Sequence, residues 1–217
     1  MPLKAKICGL TTPETVRAAV SAGASYIGFV FYEKSPRNIS PVRAAELAAE
    51  IPASVTQCGV FVNPSDEQLR STLAHIPLDL IQLHGQESPR RCQEIKNHFK
   101  RPVMKAIAVT AAQDITAAKA YENTVDILLF DARPEPDQEN ALPGGNGLRF
   151  DWQLMKGHQW HIPWMLSGGL DAGNLETAIA ISGAAIFDVS SGVENHPGEK
   201  SIPKINAFLA IINKDNR

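Results

Sequence analysis

Apolar residues fall in short runs rich in Val, Ile and Phe, and each run precedes a longer stretch in which Ala, Leu and Ile recur at helical spacing. The runs lie at 4–8 (KAKIC), 26–31 (YIGFVF), 55–62 (VTQCGVFV), 79–83 (DLIQL), 103–108 (VMKAIA), 125–130 (VDILLF), 162–166 (IPWML) and 184–189 (AAIFDV). They predict eight strands. The helical stretches lie at 13–22, 41–50, 65–75, 88–98, 111–121, 151–156, 172–181 and 203–213. Thr12, Ser40 and Ser65 stand as N-caps, Pro13 and Pro41 occupy first helical positions, and Gly183 ends the seventh helix.

Strand and helix alternate to the end of the chain, with units starting roughly every 22 to 28 residues, the length one βα unit of a (β/α)8 barrel requires. A doubly wound open sheet also alternates strand and helix. Near-equal units, and no GxGxxG after the first strand, favour the α/β class as a single (β/α)8 TIM barrel, one domain over 1–217. The sixth unit breaks the rhythm. Its strand runs into ARPEPDQENALPGGNGLRF (132–150), a Pro/Gly/polar stretch without apolar periodicity, expected as an elongated surface loop or a disordered insertion. Gly144, Gly145 and Gly147 near its end mark backbone that must approach something closely.

With 44% apolar residues, the chain has enough material for a packed core. Its 21 basic and 23 acidic residues leave a net charge of −2 without long like-charged runs, so nothing points to nucleic acid or an anionic membrane as partner. Cys8, Cys58 and Cys92 make an odd number without CxxC spacing, which fits reduced thiols in the cytoplasm. The N-terminus has too short an apolar stretch for a signal peptide, and no run approaches the roughly 18 apolar residues of a membrane helix, so a soluble, unexported chain is expected.

In such a barrel the C-terminal strand ends and the loops after them build the site. That rule brings together Cys8 after strand 1, Arg37 after strand 2, His84 after strand 4, Asp131 after strand 6, Ser167-Gly168-Gly169 after strand 7 and Ser190-Ser191-Gly192 after strand 8. The last two turns can aim backbone N–H groups at a phosphate. One glycine pair alone needs no more than a tight turn with positive φ, whereas paired turns in consecutive units favour the anion site.

Cys8 and Asp131 are the acid–base candidates. A thiol beside a helix N-terminus gains thiolate character, although free cysteine also serves as a small buried hydrophobe, the role expected of Cys58 and Cys92. A partly buried carboxyl can hold a proton to donate; the alternative for Asp131 is capping or pairing with Arg133. Asp79 and Asp126, near strand starts, read as structural. The Arg37 guanidinium presents a fork matched to a carboxylate. His84 is either a proton carrier or a hydrogen-bonded scaffold residue. The other histidines lack metal-ligand spacing, so no metal is expected.

Taken together, KICG (6–9), FVFYEKSPRNIS (29–40), GVFVN (59–63), IQLHG (81–85), GGNG (144–147), LSGGL (166–170) and FDVSSGVE (187–194) resemble the phosphoribosylanthranilate isomerase family of tryptophan biosynthesis over nearly the whole chain. The resemblance implies an Amadori rearrangement of N-(5-phosphoribosyl)anthranilate to 1-(2-carboxyphenylamino)-1-deoxyribulose 5-phosphate, with Cys8 as general base and Asp131 as general acid. It also implies Arg37 at the anthranilate carboxylate and Gly145, Gly147, Gly168, Gly169, Ser190 and Ser191 around the phosphate; His84 joins these as a substrate-binding residue. Neither a metal nor a redox cofactor is implied, and the oligomer is expected to be a monomer or a homodimer. Three positions depart from the family pattern: Asn146 stands in GGNG where GGTG is common, Ser167 where LAGGL is common, and Ser201 where Gly-x-Lys-Asp is usual. A histidine-pathway sugar-phosphate isomerase on the same barrel is the first rival, against which a strand-1 cysteine in place of an aspartate argues. A catalytically silent barrel that binds a phosphorylated metabolite is the second.

Overall fold

The computed structural model describes residues 2–133 and 144–214. Eight parallel strands close into a barrel in chain order: β1 (Lys4–Cys8), β2 (Tyr26–Val30), β3 (Thr56–Phe61), β4 (Leu80–Leu83), β5 (Val103–Val109), β6 (Ile127–Ala132), β7 (Trp164–Leu166) and β8 (Ile186–Val189), which returns to β1. Helices α1 (Pro13–Ser21), α2 (Pro41–Ala48), α3 (Asp66–His75), α4 (Pro89–Phe99), α5 (Ala112–Ala117), α6 (Leu175–Ser182) and α7 (Ile202–Lys214) lie between and after them. This is the barrel that the alternating pattern predicts.

The helix starts follow from the caps. Thr12, Ser40, Ser65 and Ser88 each accept a hydrogen bond from the backbone N–H three residues on, which fixes where α1 to α4 begin just beyond the strand ends. Gly183, with φ +69°, closes α6 in the left-handed conformation that a side chain would disfavour. Asp79 and Asp126 are structural, as expected: their carboxylates accept the N–H groups of Gln57 and Val103 at the barrel's opposite end.

Strand alternation divides the buried residues in two. One set, including Ile7, Ile27, Phe29, Phe61, Phe130 and Phe187, packs in the main core with the helices' apolar faces; each such side chain stabilises the fold by roughly 1.5–3 kcal/mol on burial. The other set fills the barrel's interior, where Cys58, Leu80, Met104, Ala106, Leu129 and Met165 form an apolar plug. Lys6, Gln82 and Asp188, also buried, occupy alternate positions of their strands, and nearest the mouth come Cys8, Val30 and Val60. A plug closed at one end leaves reactive groups accessible only from the other.

Two expectations need correction. The helix expected at 151–156 is a single 3-10 turn, Trp152–Met155, begun by the Asp151 side chain. The 111–121 helix ends as α-helix at Ala117 and continues as a 3-10 turn to Tyr121. A small antiparallel hairpin, β9 (Glu194–His196) with β10 (Glu199–Lys200), precedes α7, where the apolar pattern predicts no strand. The surface loop expected over 132–150 falls in part on 134–143, outside the described residues.

Candidate active site

A pocket opens at the C-terminal strand ends, with about 770 Å³ of space once its solvent-open mouth is included. Cys8, Arg37, His84, Asp131, Gly145, Gly147, Gly168, Gly169, Ser190 and Ser191 all line it. These candidates therefore line one cavity, whereas Gly192 of the turn after β8 does not and packs against the Leu170 backbone instead.

Asp131 sits inside β6, opposite Ala108 of β5, and is only 5% exposed. Its Oδ1 accepts the N–H of Ala132 at 2.9 Å, and its Oδ2 lies 3.2 Å from Nε2 of His84. The alternative of pairing with Arg133 does not occur, since that guanidinium donates to the Ala108 carbonyl and to Asp114. Gly144 passes directly over the pair: a β-carbon there would lie 2.6 Å from both Asp131 Oδ2 and His84 Nε2. That is the close backbone approach marked by the glycines of the sixth loop. His84 in turn has Nδ1 2.9 Å from Nε2 of Gln82, a fully buried side chain on β4.

Cys8 ends β1, opposite Gly28 of β2, and is 7% exposed. A β-carbon on Gly28 would stand 2.9 Å from its sulfur, so this glycine makes the space the thiol occupies. Burial pushes the Cys8 thiol up; Lys6 and Lys200 pull it back and Asp188 adds to the rise, leaving it above its ordinary value. The Lys6 ammonium, with no exposed surface, donates to Asp188 Oδ1 at 2.9 Å. Burial opposes its charge, but Asp188, Cys8 and Cys58 outweigh that and hold it protonated well above the usual lysine range.

Arg37 does not present a free fork. Its Nε and Nη2 each donate to one carboxylate oxygen of Glu194 at 2.8 Å, and Nη2 also reaches the Gly145 carbonyl at 3.1 Å. A β-carbon on Gly145 would lie 2.7 Å from the remaining Nη1. Lys200 donates to Glu194 Oε1 at 2.6 Å and to the Ser190 carbonyl at 2.9 Å, while the Ser190 hydroxyl donates to the Cys8 carbonyl. Burial raises the Glu194 carboxyl, but the Arg37 and Lys200 contacts overcome this and hold it below the ordinary range; burial lowers Lys200 despite Glu194.

The sequence pattern by itself assigns no role to Glu194, Lys200, Lys6, Asp188 or Gln82. The signal available for three of them is strand alternation: a charged or amide residue at an inward position of a barrel strand has to be paired. Glu194 and Lys200 lie on the hairpin, for which the sequence carries no period-2 pattern.

The glycine-bearing turns line the same pocket. Gly168 and Gly169 have φ of +91° and +61°, and Gly145 and Gly147 have +75° and +72°. The Asn174 amide donates to the Gly169 carbonyl at 2.9 Å, bracing the turn after β7. Of the departures from pattern, Asn146 lines the pocket and Ser167 turns its hydroxyl to Asp188 Oδ2 at 3.4 Å. Ser201 begins α7, donating its N–H to the Val193 carbonyl and accepting from the Ile205 N–H. Among the described residues no three of His, Cys, Asp and Glu are grouped to hold a metal ion, and no helix is long and apolar enough to cross a membrane.

Residues 5–210 match the model of a family described as N-(5'phosphoribosyl)anthranilate (PRA) isomerase. A relative from Rhodospirillum centenum, an N-(5'-phosphoribosyl)anthranilate isomerase, is 51% identical over 210 residues, covering 97% of this chain and 98% of its own. The crystal structure of the phosphoribosyl anthranilate isomerase from Thermotoga maritima superposes with a TM-score of 0.87 at 34% identity, covering 98% of this chain and 99% of that one. A phosphoribosyl anthranilate isomerase crystallised with reduced 1-(o-carboxyphenylamino)-1-deoxyribulose 5-phosphate gives a TM-score of 0.82 at 33% identity, with the same coverage.

Proposed function

The chain belongs to the N-(5'-phosphoribosyl)anthranilate isomerase family, and from that premise we propose that it works by an Amadori rearrangement with Asp131 as general acid and Cys8 as general base. It is an enzyme, an isomerase of tryptophan biosynthesis. The observation that carries the mechanistic reading is that a buried carboxyl and a buried thiol, on β6 and β1, line one pocket walled by two glycine- and serine-bearing turns.

Asp131, as general acid, delivers a proton to the furanose ring oxygen of the substrate. The C1'–O bond breaks as the anthranilate nitrogen lone pair forms the C1'=N iminium. The Cys8 thiolate then removes the C2' proton; that electron pair becomes the C1'=C2' bond, and the iminium electrons return to nitrogen. The resulting enolamine tautomerises to 1-(2-carboxyphenylamino)-1-deoxyribulose 5-phosphate, with a proton added at C1' and the hydroxyl proton lost at C2'. Two unlike groups on separate strands suit this order, because ring opening needs an acid and C–H removal a base.

Gly147, Gly168, Gly169, Ser190 and Ser191 form the phosphate end, where the turns after β7 and β8 offer backbone donors to an anion. Arg37, with its fork held by Glu194, contributes Nη1 to the anthranilate side, beside Gly145. His84 orients Asp131. Buried reduced thiols at Cys8, Cys58 and Cys92 suit a cytoplasmic location for a chain acting as one barrel domain.

The test is direct. Purified chain is mixed with freshly prepared N-(5-phosphoribosyl)anthranilate and the loss of its fluorescence is followed. Conversion to the ribulose phosphate is expected; loss no faster than in buffer overturns the reading.

A further inference from the structure

Behind the Asp131–His84 contact lies a second line of hydrogen bonds that the proposed reaction does not call upon. The Cys58 thiol, in the apolar plug of the barrel, lies 3.7 Å from Oε1 of Gln82. Nε2 of Gln82 lies 2.9 Å from His84 Nδ1, and His84 Nε2 lies 3.2 Å from Asp131 Oδ2. Cys58 and Gln82 have no exposed surface, so no solvent competes for these contacts.

Donor and acceptor roles along the line settle one another. Burial pushes the Cys58 thiol up to about 12, so it keeps its proton and donates. Its partner is Oε1, the carbonyl oxygen of Gln82, which leaves the amide nitrogen turned toward the imidazole. An amide nitrogen only donates, so Nδ1 must accept, and the single ring proton of neutral His84 sits on Nε2, aimed at Asp131.

Resting on the isomerase reading above, we propose that Gln82, backed by Cys58, is a positioning residue that holds His84 as the neutral Nε2–H tautomer, so that the imidazole orients Asp131 without competing for its proton. The two other forms of the ring would each disable the acid. An imidazolium would make a charge-assisted pair that keeps Asp131 ionised. The Nδ1–H tautomer would offer Asp131 a lone pair and draw the acidic proton toward the ring. Other ionisable groups facing this corner are Cys8 on β1, Tyr32 and Arg37 beyond β2, and Asp188 on β8. Lys105 on β5 and Glu87 are paired with each other around Gly85. Arg37 and Asp188 are themselves paired, with Glu194 and Lys6.

The experiment labels the full-length chain with 15N-histidine and reads the long-range proton–nitrogen couplings of His84 from about pH 5.5 to about pH 8, the range in which an ordinary imidazole titrates. The expected spectrum shows Nε2 protonated and Nδ1 bare throughout. In Gln82→Met, His84 should take up a second ring proton toward the acid end. Its kcat should fall about tenfold or more at the acid end and recover as His84 loses its charge, with KM within about twofold of wild type. A wild-type His84 that carries its proton on Nδ1, or gains a second ring proton within this range, overturns the proposal. So does a Gln82→Met enzyme with an unchanged kcat–pH profile. If that variant fails to fold, the wild-type spectrum decides alone. A chain with the expected tautomer but no isomerase activity would sink the isomerase reading, and the positioning role with it, while leaving the tautomer assignment standing.

Discussion

Arg37 and Glu194 meet as a parallel fork, two nitrogens on two oxygens at 2.8 Å each, with both side chains almost wholly out of solvent. The hairpin that carries Glu194 is thereby tied to the loop after β2, 157 residues away in sequence. Lys200 joins on the other side, so one carboxylate satisfies two buried cations. Removing it leaves both unpaired, a change that typically costs about 3–5 kcal/mol. Glu194→Ala should lower the urea midpoint accordingly, and Glu194→Gln by less, because the amide oxygen still accepts. An alanine variant within about 0.5 kcal/mol of wild type would show that the fork contributes little.

The same carboxylate sets an acid limit. Its folded value lies below its ordinary one, so its stabilising contribution is complete above the ordinary glutamate range, about 4.3, and is lost as pH falls toward and through the folded value. Stability measured by denaturant titration should therefore drop between about pH 5 and about pH 3 more steeply in wild type than in Glu194→Gln. Equal slopes would assign the acid sensitivity to other carboxylates.

Asp131→Asn and Cys8→Ala should each lower kcat by at least about a hundredfold, the scale of a lost general acid or base. Neither should unfold the barrel, because Asp131 and Cys8 form the pocket wall and not the plug. Asparagine also retains an oxygen for the Ala132 N–H now bonded to Oδ1. Circular dichroism and steady-state kinetics together check this; near-normal turnover in either folded variant removes that residue from its role.

The barrel was legible because each strand and helix has its own period, and capped helix starts at Thr12, Ser40 and Ser65 punctuate it. The pocket candidates were legible because barrel topology sends every strand's C-terminal end to one face. Pairing was not. Arg37 looks like a free fork in SPRNIS, and only the folded chain brings Glu194 beneath it. The turn Trp152–Met155 misled for a related reason: six residues with apolar spacing look helical, yet a stretch between two loops lacks the length to sustain α-helical hydrogen bonds. Gln82 looks like any polar residue in a strand until closure of the barrel faces it inward.

Burial raises the Cys8 thiol, and the cations Lys6 and Lys200 offset that rise only in part. Near neutral pH the thiolate is then a minor form whose fraction grows about tenfold per pH unit below the thiol's own value. The sign is fixed: kcat/KM should climb from about pH 7 to about pH 9, and iodoacetamide should alkylate Cys8 slowly at neutral pH and faster as pH rises. A kcat/KM that is flat or falling over that range, with alkylation already fastest at neutral pH, would contradict a raised thiol.

Gly168 separates shape from charge at the phosphate end. Its φ of +91° disfavours any side chain, and a β-carbon would meet the Ala132 backbone nitrogen at 2.9 Å and Asp131 Oδ1 at 3.4 Å. Gly168→Ala thus imposes the backbone strain and the crowding without charge, whereas Gly168→Asp adds a carboxylate to the wall assigned to an anion. If the turns after β7 and β8 hold phosphate, the aspartate variant should show a KM at least about tenfold above that of the alanine variant, equivalent to about 1.4 kcal/mol. Its inhibition by inorganic phosphate should weaken in parallel. Added salt should narrow the gap, since a repulsion between partly exposed charges is screened while a steric clash is not. Equal KM values for the two variants would mean that the turn shapes the pocket without touching the anion, and the phosphate would then have to be sought at Gly147, Ser190 and Ser191 instead.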